Sequence, residues 1–503
     1  MNPKQTVILL TAMIMALTGF DSYSAATRGI RSVLLPVDNS PLVTFRIQFG
    51  VGSAHDPDGK KGLTELTASL LTGGGTAKRE YTEIIDAFYP MATSVFSQVD
   101  KEVTTIVGTV HKDHLKKYYD MLIEMVLEPG FREEDFERIR TDRVNRLERQ
   151  LRFNDDENLG KESLNVFLYQ DHPYGCPVSG LVTNLKAIGL DDVRDHYRRF
   201  FTRDNVVIGL AGGYPGKLER SIRDDLSKLP QGRVEEVTLP EPGAIHGLQI
   251  MVVEKECRST AISMGFPIDV VRGEEDFYPL MIANSYLGEH RTFNGVLMNR
   301  MRGDRGLNYG DYSYIENFVQ EGGSTFPLTN IPRRQQHFSI WVRPVVHKNR
   351  HFALRLALWE LNKLVTQGMN EEDFSATRKF LSSYSRLWAQ DQSRRLGYLL
   401  DSKFYGVDDF LGTLPAKLES VTLEDVNRVI RKYLATNNMK VAIVTRGADE
   451  FLKEILDNKP SPIVYDAEDM PEDLLAEDKK IEVFKLAVNR DESRVVHAKD
   501  LFE

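Results

Sequence analysis

The chain is short of most features that would assign it quickly. It has two cysteines in 503 residues, Cys176 and Cys257, far apart and with no C-x-x-C or zinc-type spacing, so no disulfide framework and no cysteine zinc site is written into it. One disulfide or two buried free thiols both remain open. No block of basic residues interrupts a net charge of −9, which argues against nucleic acid as a partner. The uncharged apolar run TVILLTAMIMAL, residues 6–17, is too short to span a bilayer comfortably. The glycine-rich stretch LLTGGGT follows a helix pattern instead of preceding one, and no Gly-Lys-Ser/Thr comes after it. It therefore lacks the helix N-terminus on which a phosphate loop depends.

What is present reads as a globular protein with an export signal. Composition is 41% hydrophobic and 27% charged. The length sets a prior of about two to four domains. Lys4, the apolar run and Ser24-Ala25-Ala26 form a secretory signal pattern, so residues 1–26 are set aside and the mature chain is expected outside the cytoplasm, in a bacterial periplasm. An uncleaved membrane anchor is the alternative.

The chain also repeats itself. GFREEDFERIRTDRVNRL from Gly130 returns as GMNEEDFSATRKFLSSYSRL from Gly368, an offset of 238. DDVRDHYRRFFTRDNVVIGLAG from Asp191 returns as EDVNRVIRKYLATNNMKVAIVTRG from Glu424, an offset of 233. Two nearly equal offsets in the same order mean a duplicated domain, not a solenoid. The expected division is residues 27–235, a proline-rich linker at 236–246, and residues 247–463. Each half opens with strands, continues with long helices and closes with a strand. That order predicts an α+β fold with helices on one face of a largely antiparallel sheet. Residues 464–503 turn acidic. They read as a solvated tail, or as a segment docked on a partner or on the chain's own surface.

In GLTELTASLLTGGGT, Leu63, Leu66, Leu70 and Leu71 recur at helical spacing and define a buried face. Glu65 and Ser69 lie one turn apart on another side. With FGVGSAHDPDGKKGLTELTASLLTGGGT, HPYGCPVSG, the DDVRDHYRRFFTRDN block and the duplication, the chain resembles the insulinase/pitrilysin zinc metallopeptidases, which include mitochondrial processing peptidase. In active members this helix carries H-x-x-E-H: two imidazoles bind zinc and the glutamate is the base that deprotonates the bound water. A third ligand, a glutamate, comes from a later helix. The matching positions here are Glu65, Ala68 and Ser69. The resemblance puts Arg149 near the third ligand, with Glu148 adjacent. Such a set is not expected to hold zinc. His111 and His114 (a solvated helix start), His55 and His172 (turns) and the lone His290 form no convincing replacement set.

The family's later half supplies an arginine and a tyrosine in a motif like R-x-x-x-G-L-x-Y. MRGDRGLNYGDYSY matches it with Arg302, Gly306, Leu307 and Tyr309. Arg300 and Arg305 are nearby but lack the spacing. By this resemblance, Arg302 and Tyr309 would hold a substrate carbonyl and its developing oxyanion. The resemblance implies a non-catalytic subunit of an exported heteromeric peptidase that binds peptide and holds no cofactor, with a zinc-bearing H-x-x-E-H partner. A non-enzymatic peptide-binding or scaffold protein is the alternative. An autonomous peptidase with a rebuilt metal site is the third reading.

Overall fold

A computed structural model describes residues 29–289, 294–319, 326–467 and 469–503. The first sheet holds β1 (Arg31–Pro36), β2 (Leu42–Phe49), β3 (Val95–Val99), β4 (Thr104–His111) and β5 (Val206–Gly212), in the order β1-β5-β2-β4-β3. The second holds β6 (Leu248–Glu254), β7 (Thr260–Ile268), β8 (Asp311–Tyr314), β9 (Gln336–Val345), β10 (Met439–Thr445) and β11 (Arg494–His497), in the order β11-β6-β10-β7-β9-β8. Without β11, the second order repeats the first strand for strand. The β1–β5 and β6–β10 pairs are parallel and the shared remainder is antiparallel. The duplication read from the sequence is thus a duplication of topology.

One central strand of each sheet is buried along its whole length. VVIGLAG in β5 and MKVAIVT in β10 expose no residue, the pattern of a strand covered on both faces. The edge strands β1 and β3 are only partly buried. Helices of the same half cover one face, building one apolar core per half. The other face is covered reciprocally. The helix Asp156–Leu168 of the first half packs on β7 and β10, and Gln392–Phe404 of the second packs on β1, β2 and β5. Each half therefore completes the other's sheet.

Charged contacts close the seam between halves. Arg333 donates from Nε and Nη2 to the two oxygens of Asp100 at 2.8 and 2.7 Å, with both side chains buried. Arg46 on β2 bonds Asn330, and Arg343 bonds Glu157 at 3.0 Å. Residues 236–246 carry no helix or strand and cross between the halves, where Arg334 holds Glu236 and the Val237 carbonyl.

The acidic end of the chain is docked on the chain's own surface, not solvated. The helix Glu472–Ile481 packs against Arg350–Gln367, burying Leu474 and Ile481. Its acidic residues Glu477 and Asp478 are held by Arg305 and Arg300. β11 then adds an edge strand beside β6. The carbonyls of Phe502 and Glu503 accept from Val182 and Thr183 of the first half, both at 2.9 Å.

Candidate functional site

The helix Leu63–Gly73 is fixed at both ends. At its start Asp56 accepts from the Gly62 and Thr64 amides, both at 2.8 Å, and from the Thr64 hydroxyl. A carboxylate there meets the positive end of the helix dipole. Burial nonetheless pushes the Asp56 carboxyl up to about 6. Gly62 has φ +99°, and a Cβ there would meet the Ser179 carbonyl at 2.9 Å, so glycine is required. At the far end the Gly74 amide returns to the Leu70 carbonyl, and the Gly75 amide donates to Asp135 at 2.8 Å. The triple glycine thus ends one helix and seats it on the next, Glu133–Asn145. Leu63, Leu66, Leu70 and Leu71 are all buried in the first core.

On the other side of this helix the zinc-motif positions hold a guanidinium. Arg143, from Glu133–Asn145, lies 3.2 Å from the Glu65 carboxylate and donates to the Ser69 hydroxyl at 2.7 Å. One arginine bridges the two positions where the resemblance places imidazoles. Ala68, fully buried, puts a methyl group at the position of the base. Burial raises the Glu65 carboxyl, while the charges of Arg143 and Arg146 pull it back down.

Arg149 is exposed, and the residues that face Glu65 are Arg143 and Arg146, earlier in the chain. The reading that put Arg149 here is corrected: the register carried over from the resemblance runs at least three residues too far. Residues Arg146–Asn154 form a π-helix, whose wider turn rotates every later side chain away from an α-helical register. Glu148 is turned toward Lys186, at 2.8 Å.

Glu65 and Arg143 line a cavity of about 550 Å3 between the halves. The edge strand β3 contributes Ser97, Gln98 and Val99, and the second half contributes Phe318, His337 and Trp341. Trp341 packs against Tyr314 with the rings tilted and their centroids 4.3 Å apart, and the Lys161 ammonium sits 3.9 Å over the Trp341 ring. Burial lowers His337 to about 3, so it is neutral at ordinary pH.

Arg302 and Tyr309 are elsewhere. Both are exposed, Tyr309 by 79%, with the guanidinium 5.8 Å from the ring centroid. They are not among the residues lining this cavity. Arg302 lies in a second π-helical stretch, Asn299–Gly303. Arg300 and Arg305 belong to the structure instead, since both are spent on the C-terminal helix.

The histidines do not converge. His55 accepts from the Gly52 amide at 3.1 Å, His172 from the Tyr174 amide at 3.0 Å, and His111 from the Asp113 amide at 3.3 Å. His114 precedes the helix Leu115–Leu127, and His290 lies outside the described residues. Among the described residues, no group of three or more His, Cys, Asp or Glu is placed to hold a metal ion. The donor set does not fit zinc: it offers one carboxylate, one hydroxyl and a fixed positive charge between them. Cys176 and Cys257 are free thiols.

Two duplicated α+β halves closing on a cavity, with the helix Leu63–Gly73 at its edge, define a peptidase-type fold. The chain belongs to the M16 insulinase family. Residues 32–180 match "Insulinase (Peptidase family M16)", and residues 187–381 match "Peptidase M16 inactive domain". It is 24% identical to an uncharacterized zinc protease of Bacillus subtilis, over 83% of this chain and 96% of the relative. It is 21% identical to a non-peptidase homolog of Helicobacter pylori, over 87% and 98%. Among solved structures, it resembles a peptidase M16 inactive domain protein from Pseudomonas fluorescens, with TM-score 0.73, 20% identity and coverage of 84% and 97%. A chain of Complex III2 from Candida albicans shares the fold with TM-score 0.63 and 12% identity, over 82% and 93%.

Proposed function

We propose that this chain is the non-catalytic subunit of an exported heteromeric zinc peptidase, one that binds peptide while a second family member carries zinc and the general base. The observation that carries this reading is Arg143, whose guanidinium bridges Glu65 and Ser69 in place of a metal. β3 is an edge strand whose residues line the cavity, so an extended substrate can add to the sheet there and run past Glu65. Arg302 and Tyr309 are exposed and outside the chain's own cavity, a placement that suits presentation to a partner's site. Export rests on the signal pattern in residues 1–26, which are outside the described residues.

The test is co-expression with an H-x-x-E-H relative from the same organism, followed by a peptide cleavage assay. The pair should cleave faster than the partner alone. Arg302→Ala and Tyr309→Phe should each lower kcat/KM by about 100-fold if they stabilise an oxyanion. A pair no faster than the partner alone, with both variants silent, sinks the proposal. The second reading is a non-enzymatic peptide-binding or scaffold protein, favoured by the non-peptidase name of the H. pylori relative. A chain that binds peptide but never associates with a zinc-bearing relative would support it.

A further inference from the structure

The geometry points to a carboxylate-binding site at Arg143 and Arg146, which selects extended peptides bearing an acidic group as they lie along β3. This rests on the peptide-binding reading above and names the ligand chemistry that reading leaves open.

Both arginines line the cavity between the halves, beside the Glu65 carboxylate. Arg143 takes Glu65 with one terminal nitrogen and Ser69 with the other. Its Nε is buried and has no hydrogen-bond partner. Arg146 makes no side-chain hydrogen bond or ion pair among the described residues, yet it is close enough to act on Glu65. One guanidinium is therefore left over at this end of the cavity.

The other carboxylates of the lining are engaged elsewhere. Asp100 is taken by both arms of Arg333, and Asp155 caps the Asn158 amide at 3.0 Å. Burial raises the Glu162 carboxyl, against the charges of Lys101 and Arg333. A planar fork of donors is matched best by a carboxylate, which accepts two parallel hydrogen bonds.

The cavity also sets what stands beside the acid. Phe318 and Trp341 of the second half line the same space, their rings 6.1 Å apart. A volume of about 550 Å3 admits several side chains of one strand. The preferred ligand is an extended segment carrying an acidic group and a large apolar side chain.

The carboxylate could be a side chain or a peptide C-terminus, and the probes separate the two. Three fluorescein-labelled decapeptides of alternating threonine and valine, each with one phenylalanine, are titrated by polarisation against the full chain. One has an internal glutamate and an amidated end, one has glutamine and an amidated end, and one has glutamine and a free C-terminal acid. At least one acidic peptide should bind about tenfold more tightly than the neutral one. Arg146→Gln should remove that difference, and Arg146→Lys should keep part of it. Arg146 is exposed, so its variants are expected to fold, which an unchanged Tm verifies. If all three peptides bind equally, or the preference survives Arg146→Gln, the acid site is wrong while peptide binding stands. If none binds, both readings fall.

Discussion

The two halves have one strand order and opposite fates. In the first, the side chains at the motif positions turn inward and are consumed: Arg143 ties Glu65 to Ser69 beneath the cavity. In the second, Arg302 and Tyr309 face outward, while the neighbouring Arg300 and Arg305 are the ones consumed, by the C-terminal helix. The helix that bears Arg143 runs into a π-helical stretch, Arg146–Asn154, and Arg302 lies within another, Asn299–Gly303. A duplicated scaffold can thus keep its cores and its exchanged helices while one half buries its polar positions and the other displays them.

The seam is where the comparison breaks most readily. Asp100→Ala leaves the Arg333 guanidinium buried without its carboxylate, which should cost about 3–5 kcal/mol. Denaturant unfolding should show the lower midpoint, and a two-step transition would show the halves separating. A single transition at the wild-type midpoint would mean that the pair does not hold the halves together.

A subtler asymmetry lies in the exchanged helices. Gly160 and Gly397 occupy matching places in them, an offset of 237 that agrees with the repeats in the sequence. A Cβ at Gly397 would fall 2.6 Å from the Thr329 Cβ, whereas one at Gly160 would meet Ser263 and Val444 at 3.4 and 3.6 Å. Gly397→Ala should therefore cost about 1–3 kcal/mol by overpacking. Gly160→Ala should be neutral, or stabilise by up to about 1 kcal/mol through helix propensity. Equal effects from the two would mean that the halves are packed alike.

These examples also show how far the sequence could be read. The duplication was legible because EEDF and the helix-to-strand blocks recur at nearly constant spacing, and strand order follows that spacing. The exchange of helices between halves was not, because a helix's apolar face does not say which sheet it covers. The docked end was obscured by its acidity, since Glu477 and Asp478 look solvated until Arg300 and Arg305 are brought to them. The Leu63–Gly73 helix was read correctly as a buried apolar face. Its arginine was not, because Arg143 is one of several arginines on the helix Glu133–Asn145, and spacing alone does not say which of them meets Glu65 and Ser69.

Acid should affect the site end of the first half next. His196 accepts or donates to Thr64 at 3.0 Å, and burial lowers it to about 3 from 6.5. The unfolded chain takes this proton first, so the contribution is complete above pH 6.5 and is lost as pH falls toward 3. His196→Gln should flatten the stability curve in that window by up to about 1.4 kcal/mol per pH unit. Asp56, bonded to the same hydroxyl, acts in the opposite sense. Its carboxyl is raised from 3.8 to about 6, so its proton uptake over that interval favours the fold. Asp56→Asn should leave a steeper acid loss, provided the cap is kept. An unchanged curve in both variants would place the acid sensitivity elsewhere.

The smallest expected effect is the most informative about the site. Glu65→His, Ala68→Glu and Ser69→His together write H-x-x-E-H back into the helix, yet the triple variant should keep no stoichiometric zinc after dialysis. Two imidazoles would stand around the Arg143 guanidinium, whose fixed charge repels the ion and whose hydrogen bonds compete for the same nitrogens. Adding Arg143→Glu exchanges that charge for an anionic third donor beside the two neutral imidazoles and should raise the zinc measured by mass spectrometry. Stoichiometric zinc in the triple variant would show that the arginine can swing clear. Two imidazoles on one helix would then be enough to load the ion without a donor from the helix that bears Arg143.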